Sequence, residues 1–162
     1  MKKLLSWLRG GLSTKSPDGS ADAPLPRPPG PIADLQMELT SLALRVAREA
    51  FSKKLDFSHE SIKEVESILS EFHREYEKTK NEDGLNGIAL EFGAYIATTI
   101  QKNSGEGVLE RDHPEFGEAS FPFHYSGGTI FPYMWCVKRI FDGAGDNVWS
   151  KYQVLVLEPR HQ

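Results

Sequence analysis

The sequence predicts an α+β domain, with N-terminal helices packed on a short antiparallel β-meander and one or two helices after it. Three observations predict it. Apolar residues recur at alternating steps of three and four through residues 33–101. A period-two aromatic pattern follows, with Phe121, Phe123 and Tyr125 alternating with Pro122, His124 and Ser126. Helical spacing then returns after Pro132.

At 162 residues the chain suits one domain with a sizeable core. The formal net charge is −4, and residues 1–33 carry five cations against two carboxylates, a net of +3, which leaves −7 on the remainder. An acidic body without a basic stripe argues against nucleic acid, whose phosphates require clustered Lys and Arg. The lone cysteine, Cys136, lies in an apolar run between Trp135 and Val137 and is expected to be a buried thiol.

Residues 1–12 read as a short basic amphipathic segment. Leu4, Trp7 and Leu8 would enter the lipid headgroup boundary, and Lys2, Lys3 and Arg9 would meet anionic lipid. A secretory signal is not expected, because Arg9 cuts the apolar run short. No other stretch approaches the roughly 20 apolar residues of a membrane span. Residues 13–32 hold six of the ten prolines and read as a flexible linker. The folded domain is expected over residues 33–157, with a tail at 158–162.

The first helix is expected over residues 33–55, capped by Asp34, with Leu35, Leu39, Leu42 and Val46 as its inner stripe. The second, over 58–80, buries Ile62, Val65, Leu69, Phe72 and Tyr76; Ser58 caps it and Phe57 packs on Ile62. Its outer face carries Glu64, Glu71 and Glu75. The third, over 85–101, is expected to be capped by Asp83 or Asn86. It contains Gly87 and Gly93, which lower helix propensity and point to close approach of a neighbour. Glu91 and Tyr95 lie one turn apart on it and read as a helix-face pair.

Short strands are expected over 108–111, 119–125 and 129–131, with Pro122 confining its strand to an edge or a bulge. Pro132 suits the first turn of a helix that stops at Asp142-Gly143 with a left-handed glycine cap. Asp146 is expected to cap a last segment over 147–156, taken as a helix, although Tyr152–Leu157 equally suits a strand.

No phosphate-binding glycine loop, nucleophile elbow, H-E-x-x-H or paired Cys-x-x-Cys occurs. The best polar constellation is Asp112, His113 and His124, whose two imidazoles and one carboxylate are a donor set for a divalent metal. Adjacent Asp112 and His113 point apart in an extended stretch, so ordinary loop residues are the default, and no cofactor is expected.

Leu55-Asp56-Phe57-Ser58, Glu91-Phe92-Gly93-Ala94-Tyr95-Ile96, Phe131-Pro132, Val137-Lys138-Arg139 and Phe141-Asp142-Gly143 together resemble a pattern in small bacterial domains of unknown function. The resemblance covers about residues 55–156 and implies a helix pair, a short β-meander and terminal helices; it brings no catalytic residues. The expected function is therefore a non-catalytic, cytoplasmic accessory or immunity-type role. A protein partner would meet the acidic domain at Glu64, Glu71, Glu75, Tyr125 and Tyr133. A peripheral membrane adaptor using residues 1–12, and a small metal protein or enzyme using His113 and His124, are the alternatives.

Overall fold

The computed structural model describes residues 32–158. The basic segment with Lys2, Lys3, Leu4, Trp7, Leu8 and Arg9, the linker up to residue 31 and the last four residues lie outside the described residues. Helices α1 (Ala33–Phe51), α2 (Ser61–Thr79) and α3 (Leu85–Ser104) precede strands β1 (Val108–Leu109), β2 (Phe123–Tyr125) and β3 (Gly128–Ile130). Helix α4 (Pro132–Asp142), a 3-10 turn (Ala144–Asp146) and α5 (Val148–Tyr152), continued by a π-helical turn (Gln153–Leu157), complete the order. The α+β class and the meander are as the sequence predicts. No helix among the described residues is long and apolar enough to cross a membrane.

The centre is α3, buried at every position from Glu91 to Gln101. Helices α1 and α4 are its main neighbours, and α2 packs on α4 and α5. Gly93 permits the α3–α4 crossing, since a Cβ there would lie 2.8 Å from the backbone N and Cα of Tyr133. Gly87 does not share this role. It faces solvent and a Cβ would meet nothing within 4 Å.

Helix α1 buries Leu39 and Val46 of its expected stripe, but its inner face is rotated toward Gln36, Thr40 and Ala43. Gln36, Leu39, Thr40, Ala43, Val46 and Ala47 are buried, whereas Leu35 is 38% exposed. Small and polar residues win because α3 supplies partners. Gln36 Nε2 donates to Thr98 Oγ1 at 3.0 Å and Gln101 Oε1 at 2.8 Å, and the Thr40 and Thr98 hydroxyls lie 3.0 Å apart. The helix ends at Phe51, four residues early, where Ser52 takes φ 53 and returns its N–H to Arg48. Asp34 lies in the first turn and not at the cap.

Helix α2 also starts later than expected. Ser58 caps a lead-in turn, its Oγ accepting from Ser61 N at 3.1 Å. Phe57, at φ 61, stacks on Tyr95 with ring centres 5.0 Å apart. Helix α3 is preceded by Gly84 at φ 77 and has no side-chain cap, so neither Asp83 nor Asn86 serves.

The sheet order is β1-β2-β3, antiparallel throughout, with Leu109 opposite Phe123 and His124 opposite Thr129. The strand near Pro122 is thus central and not an edge. It tolerates the proline because it begins one residue later. Ala119 and Phe121 adopt positive φ of 55 and 51, which breaks the expected alternation and buries Phe121, Pro122 and Phe123 together.

Pro132 opens α4 as expected. Gly143, at φ 103 and ψ −156, ends it outside the left-handed helical region. Asn147, not Asp146, caps α5 by accepting from Ser150 N at 2.9 Å; Asp146 pairs with Lys151 at 2.8 Å. Cys136 is fully buried, and burial pushes its thiol far up.

Gly93→Ala should destabilise by about 1–3 kcal/mol, because two helix backbones must separate. Gly87→Ala should instead stabilise by about 0.5–1 kcal/mol, because it removes only unfolded-state freedom. Urea denaturation of the two variants checks both signs.

Candidate functional site

The loop between β1 and β2 orders itself through its own polar groups. In Asp112-His113-Pro114-Glu115-Phe116-Gly117, proline fixes one φ and Gly117 takes φ 88. His113 and Gly117 exchange both backbone bonds, at 3.0 and 2.8 Å, and close a tight hairpin tip. Inside it, His113 Nδ1 accepts the N–H groups of Glu115 at 3.1 Å and Phe116 at 3.3 Å. Asp112 Oδ1 accepts from Ala119 N at 2.8 Å, and Ser120 Oγ donates to Gly117 O at 2.9 Å. Below the tip, Phe121 N donates to Arg111 O at 3.0 Å and Glu110 N to Pro122 O at 2.9 Å, which carries the pairing down to the sheet.

This tip displays Phe116, which is 64% exposed. Its ring meets Phe131 edge-on at 4.9 Å and His113 at 5.0 Å, so it rests on a fixed platform. His124, from β2, lies beside His113 with ring centres 6.2 Å apart. His124 Nδ1 is 2.8 Å from Thr129 Oγ1, and its Nε2 is 3.5 Å from Glu110. Around Phe116, residues 110–118 carry four carboxylates, on Glu110, Asp112, Glu115 and Glu118, against the one cation of Arg111.

The fold therefore brings His113 and His124 together, as a metal site would need, but not Asp112. That carboxylate turns to the Ala119 amide. Among the described residues no group of three or more His, Cys, Asp or Glu is placed to hold a metal ion. Comparison with protein-family models, curated proteins and solved structures finds no match for the chain.

Four of the five predicted contact residues have structural partners. Glu64 pairs with Lys53, and Glu71 with Arg74 at 2.9 Å, on the outer side of α2 that also carries Glu75. Half-buried Tyr125 donates its hydroxyl to Leu155 O at 2.5 Å, and this holds the last turn against the sheet. Tyr133 packs edge-on against Phe121 at 5.5 Å. Phe116 itself is not among the residues the sequence marks as candidates. Its signal is a large aromatic inside a polar Pro-x-x-Gly turn.

Glu91 is the most perturbed acid. It is 6% exposed and Oε2 has no hydrogen-bond partner among the described residues. Burial raises its pKa to about 7, against the opposing field of Arg45. It does not act with Tyr95, whose hydroxyl instead bonds Ser61 Oγ at 2.7 Å and Phe57 N at 2.9 Å. Glu91 lies on the α3 stripe that includes Thr98 and Gln101, the residues bonded to α1.

The folded chain thus holds a proton on Glu91 that the unfolded chain releases. Stability from this group is full below about pH 4.5, declines as pH rises and is lost above about pH 7. Glu91→Gln should flatten this decline and stabilise the protein at pH 8 by on the order of 2–3 kcal/mol. Denaturant midpoints from about pH 4.5 to about pH 8 check it.

Proposed function

We propose that the chain is a non-catalytic bacterial accessory protein of immunity type, cytoplasmic, that binds a protein partner through the Phe116 tip. The observation that carries this reading is the display of Phe116, 64% exposed on a loop whose own side chains close it. An aromatic left in water gives up burial free energy. A loop already ordered has less conformational freedom to lose on binding. Buried aromatic anchors of this kind dominate many interfaces. The carboxylates around the tip suit a partner with an apolar pocket rimmed by Lys or Arg, which would speed encounter and set orientation.

Affinity capture from the native host, with wild-type protein beside Phe116→Ala, tests the reading. The wild type should retain a stoichiometric protein. The variant, with an unchanged circular dichroism spectrum, should bind it about thirtyfold more weakly, equivalent to about 2 kcal/mol. Equal retention by both would place the contact elsewhere. Retention of nothing by either would remove the main support for a binding role.

A further inference from the structure

We propose that His113 is a proton-operated latch on the Phe116 tip, so that acidification releases the loop from the geometry in which it displays its aromatic. The inference rests on the binding role above and concerns the regulation of that same surface. The amides of Glu115 and Phe116 both point at His113 Nδ1, at 3.1 and 3.3 Å. A ring nitrogen that accepts hydrogen bonds carries no hydrogen, so the closed tip requires the neutral imidazole with its hydrogen on Nε2. A proton taken from solvent goes to Nδ1, since Nε2 is already occupied. The acceptor then becomes a donor facing two donors. Both amides lose their partner at once, and the imidazolium N–H must turn away to find one.

The surroundings decide how that charge is received. Phe116 and Phe131 pack against the His113 ring at 5.0 and 5.6 Å and offer no carboxylate. From β2, His124 lies 6.2 Å away and is itself a base; protonated, it would repel a charged His113. Glu110 lies beyond His124, 3.5 Å from its Nε2. Asp112, the adjacent residue, spends an oxygen on Ala119 N and lies 3.7 Å from Arg111. Glu115 and Glu118 are the remaining acids of the loop. A protonated His113 is therefore expelled from its inward position while carboxylates at the rim can receive it outside. The hairpin bonds between His113 and Gly117 belong to the backbone and do not titrate, so the tip loosens without the sheet coming apart.

Amide exchange on the free full-length protein tests the latch by NMR between about pH 8 and about pH 5, the range in which imidazole changes charge. Protection factors are used because they divide out the intrinsic pH dependence of exchange. Those of Glu115 and Phe116 should fall about tenfold on acidification, while those of the α3 core should rise as Glu91 takes up its proton. Imidazole nitrogen shifts at pH 8 should show Nδ1 as the unprotonated nitrogen of His113. His113→Asn places a non-titrating oxygen where Nδ1 stands, and should keep both amides protected at either pH. His124→Gln should leave the wild-type loss in place.

Flat protection in the wild type overturns the latch, as does an Nδ1–H tautomer at pH 8. An equal loss in His113→Asn, or a loss abolished by His124→Gln, assigns the effect to another group and also overturns it. If His113→Asn leaves the tip open at every pH, the wild-type tautomer decides. The readout needs no partner, so its failure leaves Phe116-dependent capture standing. Undiminished capture by Phe116→Ala rejects the binding surface whatever exchange shows.

Discussion

Helix α3 is buried on every side from Glu91 to Gln101, and the rest of the structure follows from satisfying it. A helix so enclosed cannot turn a polar stripe to water, so its polar side chains find partners within the protein, Glu91 Oε2 excepted. The partners are the neighbouring elements themselves. Thr98 and Gln101 take Gln36 of α1. Tyr95 holds the turn before α2 through Phe57 N and Ser61 Oγ. Gln101 Nε2 also donates to Gly107 O at 3.0 Å, where the chain enters the sheet. Asn103 Nδ2 reaches Phe57 O at 2.8 Å. The polar groups of α3 are thus the points at which α1, the lead-in to α2 and the meander are placed. Gly93 does the same for α4 by steric means, since only a missing side chain lets that backbone touch.

A second anchor lies on the far side of α2. Glu66 Oε1 accepts from Arg139 Nε at 2.6 Å, and its Oε2 accepts from Val148 N at 2.8 Å. One carboxylate thereby binds α4 and the first residue of α5. With side-chain exposures of 5% for Arg139 and 13% for Glu66, the pair is largely desolvated. Its attraction must first offset the cost of that desolvation. The Val148 amide helps, because it gives the second oxygen a donor. The gain is geometric: two elements share one charged acceptor, so neither can shift without exposing the other's loss.

The parts of this fold that were legible in the sequence are those governed by near neighbours. Ile62, Val65, Leu69 and Phe72 mark the inner face of α2, and Pro132 marks the start of α4, because spacing and ring chemistry act locally. The face of α1 was legible only in part, through Leu39 and Val46. Gln36 and Thr40 are buried because Thr98 and Gln101 await them about 60 residues away, and no local pattern carries that information. The same holds at the sheet. Pro122 argues for an edge only if it lies within the strand, and positive φ at Ala119 and Phe121 moves the strand's start past it. At the candidate site, residue type makes His113 and His124 candidates for metal chemistry. They do meet, but His113 Nδ1 points at amides, a choice that depends on how tightly the hairpin closes.

The contrast between the two acidic surfaces shows why the tip is the stronger binding candidate. On α2, Glu64 and Glu71 each have a cation beside them, so these two carboxylates are already paired and lose little by staying in water. The 110–118 loop is built differently. It uses Asp112, His113, Pro114 and Gly117 to order a short hairpin, yet Phe116 at its end covers little of the core and stays mostly in solvent. Folding alone does not require that outlay. Ordering residues costs conformational freedom, and exposing a phenyl ring forgoes burial. A partner that covers the ring restores the burial, and it meets a loop whose ordering is already complete. The local bonds that make the tip expensive in isolation are those that make it economical as an anchor.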